Sequence, residues 1–288
     1  MDLIIETDLG HDPDDFFAIN YLIYAGARVR AILVSPGDPD QISIARLICE
    51  HHGLYGDKRI PIGTSKKDRT KLSSGSIHHE LLKKYKYPLE GKADGLSEDI
   101  LVNVAKNYPD SELFIIGPVS GIGKYMLNHP ETHFKRATMQ GGFLPYSLHM
   151  PTSPHEDFLG KEWMPTFNLN GDRNAGLAFL NGNIGERRMV GKNICHTVQF
   201  TKDVFSQFKN NNKLFNEAAE LYFQKHDFKK FHDPTAAVLH LHPEIGTWFR
   251  GKTTKKESGW TSQPLPEGDF ILSDINYNKL WEYLGTNS

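Results

Sequence analysis

Leu3-Ile4-Ile5-Glu6-Thr7-Asp8-Leu9-Gly10-His11-Asp12-Pro13-Asp14-Asp15-Phe16-Phe17-Ala18-Ile19 opens the chain with a short apolar run, a Gly/Pro turn and the start of a helix. That order begins a βα unit. It also places four carboxylates, Asp8, Asp12, Asp14 and Asp15, within eight positions. Such charges repel unless something positive sits among them. In a low-dielectric cleft one divalent cation with hard oxygen ligands is the simplest remedy. Asp14 alone reads as a first-turn acid that complements the helix dipole. Asp15 does not, because helical spacing sets it on the apolar face with Ile19, Leu22 and Ile23. A carboxylate aimed at a core needs a partner. The intervals are not those of an EF-hand, since the twelfth position from Asp8 is Ile19. Nor are they a phosphate loop, since no Gly-Lys-Ser/Thr follows.

Working outward, short apolar runs alternate with helical patterns. Strands are expected over 3–7, 29–35, 59–63, 112–116, 135–140 and 187–194, with strand-like pieces at 246–252 and 268–273. Helices are expected over 14–25, 40–54, 97–107, 120–128, 172–181, 202–209, 213–225 and 234–241, with a helical piece near 77–86 and a short helix at the end. Ser97 reads as an N-cap ahead of Glu98 and Asp99. This rhythm predicts an α/β fold with a mainly parallel central sheet and helices on both faces. No linker or repeat interrupts it, so residues 1–288 read as a single domain. In such sheets ligands bind beyond the carboxyl ends of the strands. Asp8, Gly37-Asp38, Ile116-Gly117 and Gly141-Gly142 all follow strands and should converge on one edge. Residues 64–95 and 143–165 are long and irregular, which marks them as lid or binding-loop candidates.

Composition narrows the classes. Hydrophobic content is 39%, charged content 24% and net charge -2, so no electrostatic footprint for nucleic acid or membrane is present. No apolar run approaches the length of a bilayer span, and no signal peptide is expected at the N-terminus. The two cysteines, Cys49 and Cys195, suit neither a disulfide framework nor a thiolate zinc site, and they fit a reducing cytoplasm.

His232-Asp233-Pro234 reads as a helix start, with Asp233 as N-cap and Pro234 in the first turn. A functional reading of the same residues makes Asp233 a further metal ligand and His232 a proton donor near neutral pH. Phe167-Asn168-Leu169-Asn170-Gly171-Asp172 offers amides suited to sugar hydroxyls, or simply a polar turn with Asp172 capping the next helix. His78 and His79 sit where they could approach a ligand. His240 and His242 lie on different helical faces, which does not suit a shared metal.

With these residues in view, the chain resembles the inosine–uridine-preferring nucleoside hydrolase superfamily. Asp8-Leu9-Gly10-His11-Asp12-Pro13-Asp14-Asp15 matches the longer form of its N-terminal signature. Ile116-Gly117-Pro118-Val119-Ser120, Met139-Gln140-Gly141-Gly142, Thr166-Phe167-Asn168 with Asp172, and His232-Asp233 follow in the family's order. The resemblance implies a nucleoside-hydrolase-like sheet with a Rossmann-like core. It implies hydrolysis of the N-glycosidic bond of a nucleoside, a small-molecule substrate used in purine or pyrimidine salvage. It implies a calcium ion (Ca2+) held by Asp8, Asp15, Asp233 and the main-chain carbonyl of Ile116. Asp8 would be the general base, Asp12 or Asp14 and Asn168 would bind the sugar, and His232 would sit near the leaving base. A homodimer or homotetramer is implied as well.

Two positions depart from the family pattern. Thr166 stands where a Glu is usual, removing a carboxylate near the sugar's 5′ side, and Asp38 stands where an Asn is usual. Both touch sugar recognition and leave the metal set intact, so a modified nucleoside is one expectation. Two other classes compete. A non-catalytic nucleoside- or sugar-binding protein on this scaffold would be favoured by loss of the metal carboxylates. A phosphate-ester hydrolase would be favoured by a basic clamp, and none lies beside the Asp cluster in sequence.

Overall fold

The computed structural model describes every residue except His11, Ser74, Lys209, Asn210 and residues 286–288. The chain begins β1 (Asp2–Thr7), α1 (Asp14–Tyr24), β2 (Arg28–Val34), α2 (Pro39–His51), β3 (Ile62–Thr64), α3 (Ser76–Lys84) and β4 (Gly95–Leu96). It continues α4 (Ser97–Asn107), β5 (Glu112–Ile115), α5 (Ser120–Asn128), β6 (Phe134–Gln140), α6 (Phe167–Asn170), α7 (Arg173–Asn181) and β7 (Ile184–Val190). Then come α8 (Lys192–Cys195), β8 (Gln199–Thr201), α9 (Lys202–Gln207), α10 (Lys213–Phe223), β9 (Phe228–Lys230) and α11 (His232–Leu241). The last elements are β10 (Gly246–Lys256), β11 (Gly259–Pro264), β12 (Asp269–Ile275) and α12 (Tyr277–Gly285).

One ten-stranded sheet runs in the order β11-β10-β12-β7-β6-β5-β1-β2-β3-β4, and β8 pairs with β9 in a separate ribbon. From β12 to β4 every neighbouring pair is parallel, while β10 is antiparallel to both β11 and β12. The expected mainly parallel sheet is therefore present, with an antiparallel flank.

Strand alternation explains how helices cover both faces. Leu3, Ile5, Ile32, Val34 and Phe114 join α1, α2, α10 and α11 in one apolar cluster. Ile4, Ala31, Leu33, Leu113 and Ile115 join α4, α5 and α7 in the other. With both faces buried, the central strands read as continuous apolar runs.

Several expected boundaries move. The strand placed at 187–194 spans Ile184–Val190, because Gly191 breaks it and α8 follows. The strand placed at 59–63 becomes Ile62–Thr64, after Pro61, which has no N–H to donate. The N-cap of α4 is Leu96, and Ser97 is the first helical residue, buried against the sheet. The helix placed at 202–209 ends at Gln207, and position 209 lies outside the described residues. The final strands form an antiparallel hairpin plus β12, where period-two patterning had marked only two pieces. Among the described residues, no helix is long and apolar enough to cross a membrane.

Candidate active site

The carboxyl ends of β1, β2, β5 and β6 carry the site. Asp8 follows β1 directly. Thr7, the last residue of β1, donates its hydroxyl to Asp15 Oδ1, and the Asp8 N–H reaches the same oxygen at 3.3 Å. Asp15 is thus drawn from the first turn of α1 to the strand end. Gly117 presses on the same point. A Cβ there would lie 2.4 Å from Asp8 N, 2.5 Å from Thr7 C and 2.9 Å from Asp8 Oδ1. Only a residue without a side chain lets the Ile116–Gly117 turn pack on Asp8. The Ile116 N–H holds the turn there by donating to the Glu6 carbonyl at 2.8 Å.

Asp14 has a different task. Its Oδ2 accepts from the N–H groups of His232 and Asp233 at 2.9 and 3.2 Å, so a carboxylate from α1 satisfies the exposed amides at the start of α11. Its Oδ1 is buried and unpartnered among the described residues. This contact brings Asp233, buried in the first turn of α11, to the Asp8–Asp15 pair. Asp12 lies nearer solvent and caps α1 by accepting from the Asp14 N–H at 3.1 Å.

Lys229 is the cation that sequence reading missed. Its Nζ lies 3.1 Å from Asp12 Oδ1 and 3.7 Å from Asp14 Oδ2. The only signal was a basic pair shortly before His232-Asp233. Gln41 was missed too. It accepts from the Gly37 and Asp38 N–H groups at 3.1 and 2.7 Å and donates to the Asp8 carbonyl at 3.1 Å, tying α2 to the strand end.

The charge balance is uneven. Asp8 is pushed up to about 7, mainly by burial and further by the charges of Asp12 and Asp14. Asp14 is pushed up to about 7 by burial, against the opposing pull of Lys229. Burial lifts Asp15 and Asp233 well above the usual carboxylate range, with the charge of Asp8 adding to the first and that of Asp15 to the second. Asp8, Asp15 and Asp233 therefore share a buried space with no ion-paired cation among the described residues. Among those residues no group of three or more His, Cys, Asp or Glu side chains already stands in a metal-ligating arrangement. The fit to a metal accordingly rests on donor type and charge. All the donors are oxygen and the charges are unbalanced, and beside them Asp14, outside the donor set, keeps one buried oxygen without a partner among the described residues. That set suits a hard cation such as Ca2+ and does not suit a soft one.

The remaining expected residues are placed as follows. Asn168, buried in α6, donates its amide to the Gln140 carbonyl at 2.9 Å and to Gln140 Oε1 at 3.0 Å. Asp38 is buried at the start of α2 and paired with Arg69, whose Nε and Nη2 both lie 2.6 Å from Asp38 Oδ1. Thr166 is buried beside Gly142, whose N–H reaches its hydroxyl at 3.5 Å. Asp172 caps α7 by accepting from the Ala175 N–H at 3.1 Å. His79 pairs with Asp40 at 2.6 Å and His78 is buried against Phe16, so both histidines secure the loop.

His232 stacks on His196 with ring centroids 4.8 Å apart, and its Nε2 lies 3.1 Å from His196 Nδ1. Burial, then the charge of Lys229, lowers His232 to about 3. Burial and the neighbouring His232 lower His196 to about 2. Both rings are neutral at pH 7, so His232 can donate a hydrogen bond through an imidazole N–H. Phe158 and His155 of the 143–165 loop pack against His196. A cleft of about 690 Å³ is lined by Asp8, Asp38, Gln41, Lys66, Lys71, Leu72, Pro118 and Phe167 among others. Carboxylates at the sheet edge beside a cleft of this size make a small-molecule site.

The comparisons agree. The family model described as inosine-uridine preferring nucleoside hydrolase matches residues 3–279, and the chain belongs to that family. It is a nucleoside N-ribosyl hydrolase by family, with hydrolysis of a nucleoside's N-glycosidic bond as its class of reaction. Among solved structures, the plant nucleoside hydrolase PpNRh1 is similar at TM-score 0.76 and 16% identity, covering 99% of this chain and 97% of that one. A purine-preferring ribonucleoside hydrolase from Gardnerella vaginalis is similar at TM-score 0.71 and 16% identity, over 99% and 96%. An inosine-uridine preferring nucleoside hydrolase from Bacillus anthracis is similar at TM-score 0.73 and 14% identity, over 98% and 97%. At these identities the structures speak to the fold. No curated protein is matched.

Proposed function

We propose that the chain, acting as one domain over residues 1–288, is a calcium-dependent N-ribohydrolase that releases the free base from a ribonucleoside, including a modified one. The observation that carries this reading is the gathering of Asp8, Asp15 and Asp233 in a buried space, while Lys229 is engaged by Asp12 and Asp14. The side chains of Asp8, Asp15 and Asp233 and the carbonyl of Ile116 would hold Ca2+. When bound, the ion supplies Lewis acidity that lowers the pKa of a water.

Asp8 removes a proton from the attacking water as general base. The water oxygen bonds to the anomeric carbon while the bond to the base breaks, and the base leaves with the electron pair. As the bond to the base stretches, before the new C–O bond is complete, the sugar carries oxocarbenium-like charge, which the carboxylate floor stabilises electrostatically. Asp12, Asp14, Asp38 and Asn168 orient the sugar hydroxyls. His232 donates a hydrogen bond to the departing base. A neutral Thr166 in place of a carboxylate favours a substrate other than the plain ribonucleoside. Cytoplasmic placement, a part in base salvage and assembly as a homodimer or homotetramer belong to the same reading.

The test is a panel of purine, pyrimidine and modified nucleosides assayed for free-base release with and without added calcium. Base release that needs calcium and is lost in Asp8→Ala is expected. A panel with no base release at any calcium concentration overturns the reading.

A further inference from the structure

Lys66 and Lys71 line the same cleft as Asp8. Both are exposed, and neither ammonium has an ion-pair partner among the described residues. The segment carrying them is pinned at alternate points. The Thr64 hydroxyl donates to the Pro36 carbonyl at 2.7 Å, and the Lys66 N–H donates to the same carbonyl at 3.2 Å. Arg69 is consumed by Asp38. The Ser73 hydroxyl is bound to Asp40 Oδ2 at 2.6 Å and lies 3.1 Å from the Gly10 carbonyl. The anchors at 64, 69 and 73 turn inward, and the lysines between them are left over the cleft. Lysine is a point-charge phosphate binder with long reach.

The other cleft charges set where an anion can sit. Asp8 and Asp172 lie on the lining and repel it, whereas Asp38 is neutralised by Arg69. The N-terminus of α5, whose Ser120 also lines the cleft, is already filled by Glu6, whose two oxygens accept from Gly121 and Ile122 N–H groups. An anion is therefore directed to the Lys66–Lys71 wall. A phosphate monoester carries about -1.5 to -2 charges at pH 7, which two lysines match. The basic clamp missing beside the Asp cluster in sequence is supplied by the fold from the β3–α3 connection.

Resting on the nucleoside-hydrolase reading of this site, we propose that its substrate is a phosphorylated N-riboside, a nucleoside monophosphate whose sugar phosphate is held by Lys66 and Lys71. The reaction breaks only the N-glycosidic bond. Water gives one proton to Asp8 and adds its oxygen to the anomeric carbon, the base departs with the bonding pair and is protonated from solvent, Asp8 returns its proton to solvent, and the phosphate ester stays intact.

The experiment assays paired nucleosides and their 5′-monophosphates for base and for inorganic phosphate, and measures binding of ribose and ribose 5-phosphate by calorimetry. The expected result is a kcat/KM at least tenfold higher for the monophosphates, with ribose 5-phosphate binding more tightly than ribose. In Lys66→Ala/Lys71→Ala the monophosphate-to-nucleoside ratio should fall at least tenfold. Lys67→Ala, outside this cleft, should leave the ratio unchanged. Equal or better turnover of the unphosphorylated nucleosides overturns this proposal and leaves the hydrolase reading standing. Phosphate release without base release overturns both. No base release, with ribose 5-phosphate still bound more tightly through the two lysines, overturns the hydrolase reading and the substrate assignment that rests on it, and leaves only the phosphate-binding role of the lysines.

Discussion

The His232 N–H donates to Asp14 Oδ2 at 2.9 Å, joining the first helix of the chain to one that begins 218 residues later. The same oxygen receives the Asp233 N–H and faces Lys229. Asp14 therefore positions Asp233. Replacing it with Ala removes a charged acceptor from buried donors, and a loss of about 2–4 kcal/mol is expected. Asn, which keeps an acceptor, should lose less. Urea denaturation of both variants checks this. An Asp14→Ala protein as stable as the parent would mean that the link bears no structural load.

Gly117 sets the distance between the β5 turn and Asp8. Gly117→Ala drives a methyl group to 2.4 Å from Asp8 N, so Asp8 must move. A displacement near 1 Å in a catalytic group can lower turnover by about 100-fold. A loss of that order in kcat, with the protein still folded by circular dichroism, is expected. Unchanged kcat would argue that Asp8 need not be held in place.

Calcium that binds the folded chain alone adds stability. At a free concentration one hundred times its dissociation constant the gain is about 2.7 kcal/mol. EDTA should therefore lower the melting temperature, and excess calcium should restore it. A melting curve indifferent to both would count against a bound ion.

His232→Ala should slow substrates with poor leaving groups far more than activated ones such as a nitrophenyl riboside. A hydrogen bond to the charge that develops on the departing base is worth about 1.5–3 kcal/mol, which corresponds to a loss of about 10–100-fold in rate. Equal losses on both substrates would exclude His232 from assisting the leaving base.

His240 is buried, with Nδ1 2.9 Å from the Thr138 hydroxyl and Nε2 3.6 Å from Glu112. Burial and the charges of Arg136 and Arg188 lower it to about 3. Its folded pKa lies below the unfolded value of about 6.5, so the unfolded chain takes up the proton first. Its contribution is intact above pH 6.5 and is lost as pH falls from there toward 3, by up to about 1.4 kcal/mol per pH unit. Comparing His240→Gln with the parent across that window isolates this contribution from the site carboxylates. An identical pH slope in the two proteins would refute it.

Much of this was legible because strong local patterns and the fold agree. Asp15 on an apolar helical face could be read as buried and partnered, and Asp8, Ile116 and Gly141 could be placed by strand ends alone. What stayed hidden depends on long-range meeting. Nothing near Asp14 announces that it caps α11, and nothing near Lys66 announces that it overlooks Asp8. Lys229 neutralises Asp12 from the far end of the chain. The end of β10 and all of β11 were under-read because Thr253-Thr254-Lys255-Lys256 and Thr261-Ser262-Gln263 give almost no apolar side chains to alternate.

Synthesis runs from the amino end, and this architecture has a consequence for it. The acidic turn is made before its counter-charge at Lys229 and the amides it must satisfy at His232 and Asp233, which are translated more than two hundred residues later. Until then β1 and α1 carry unbalanced negative charge, which opposes their burial. The centre can close only after Lys229, His232 and Asp233 have been made.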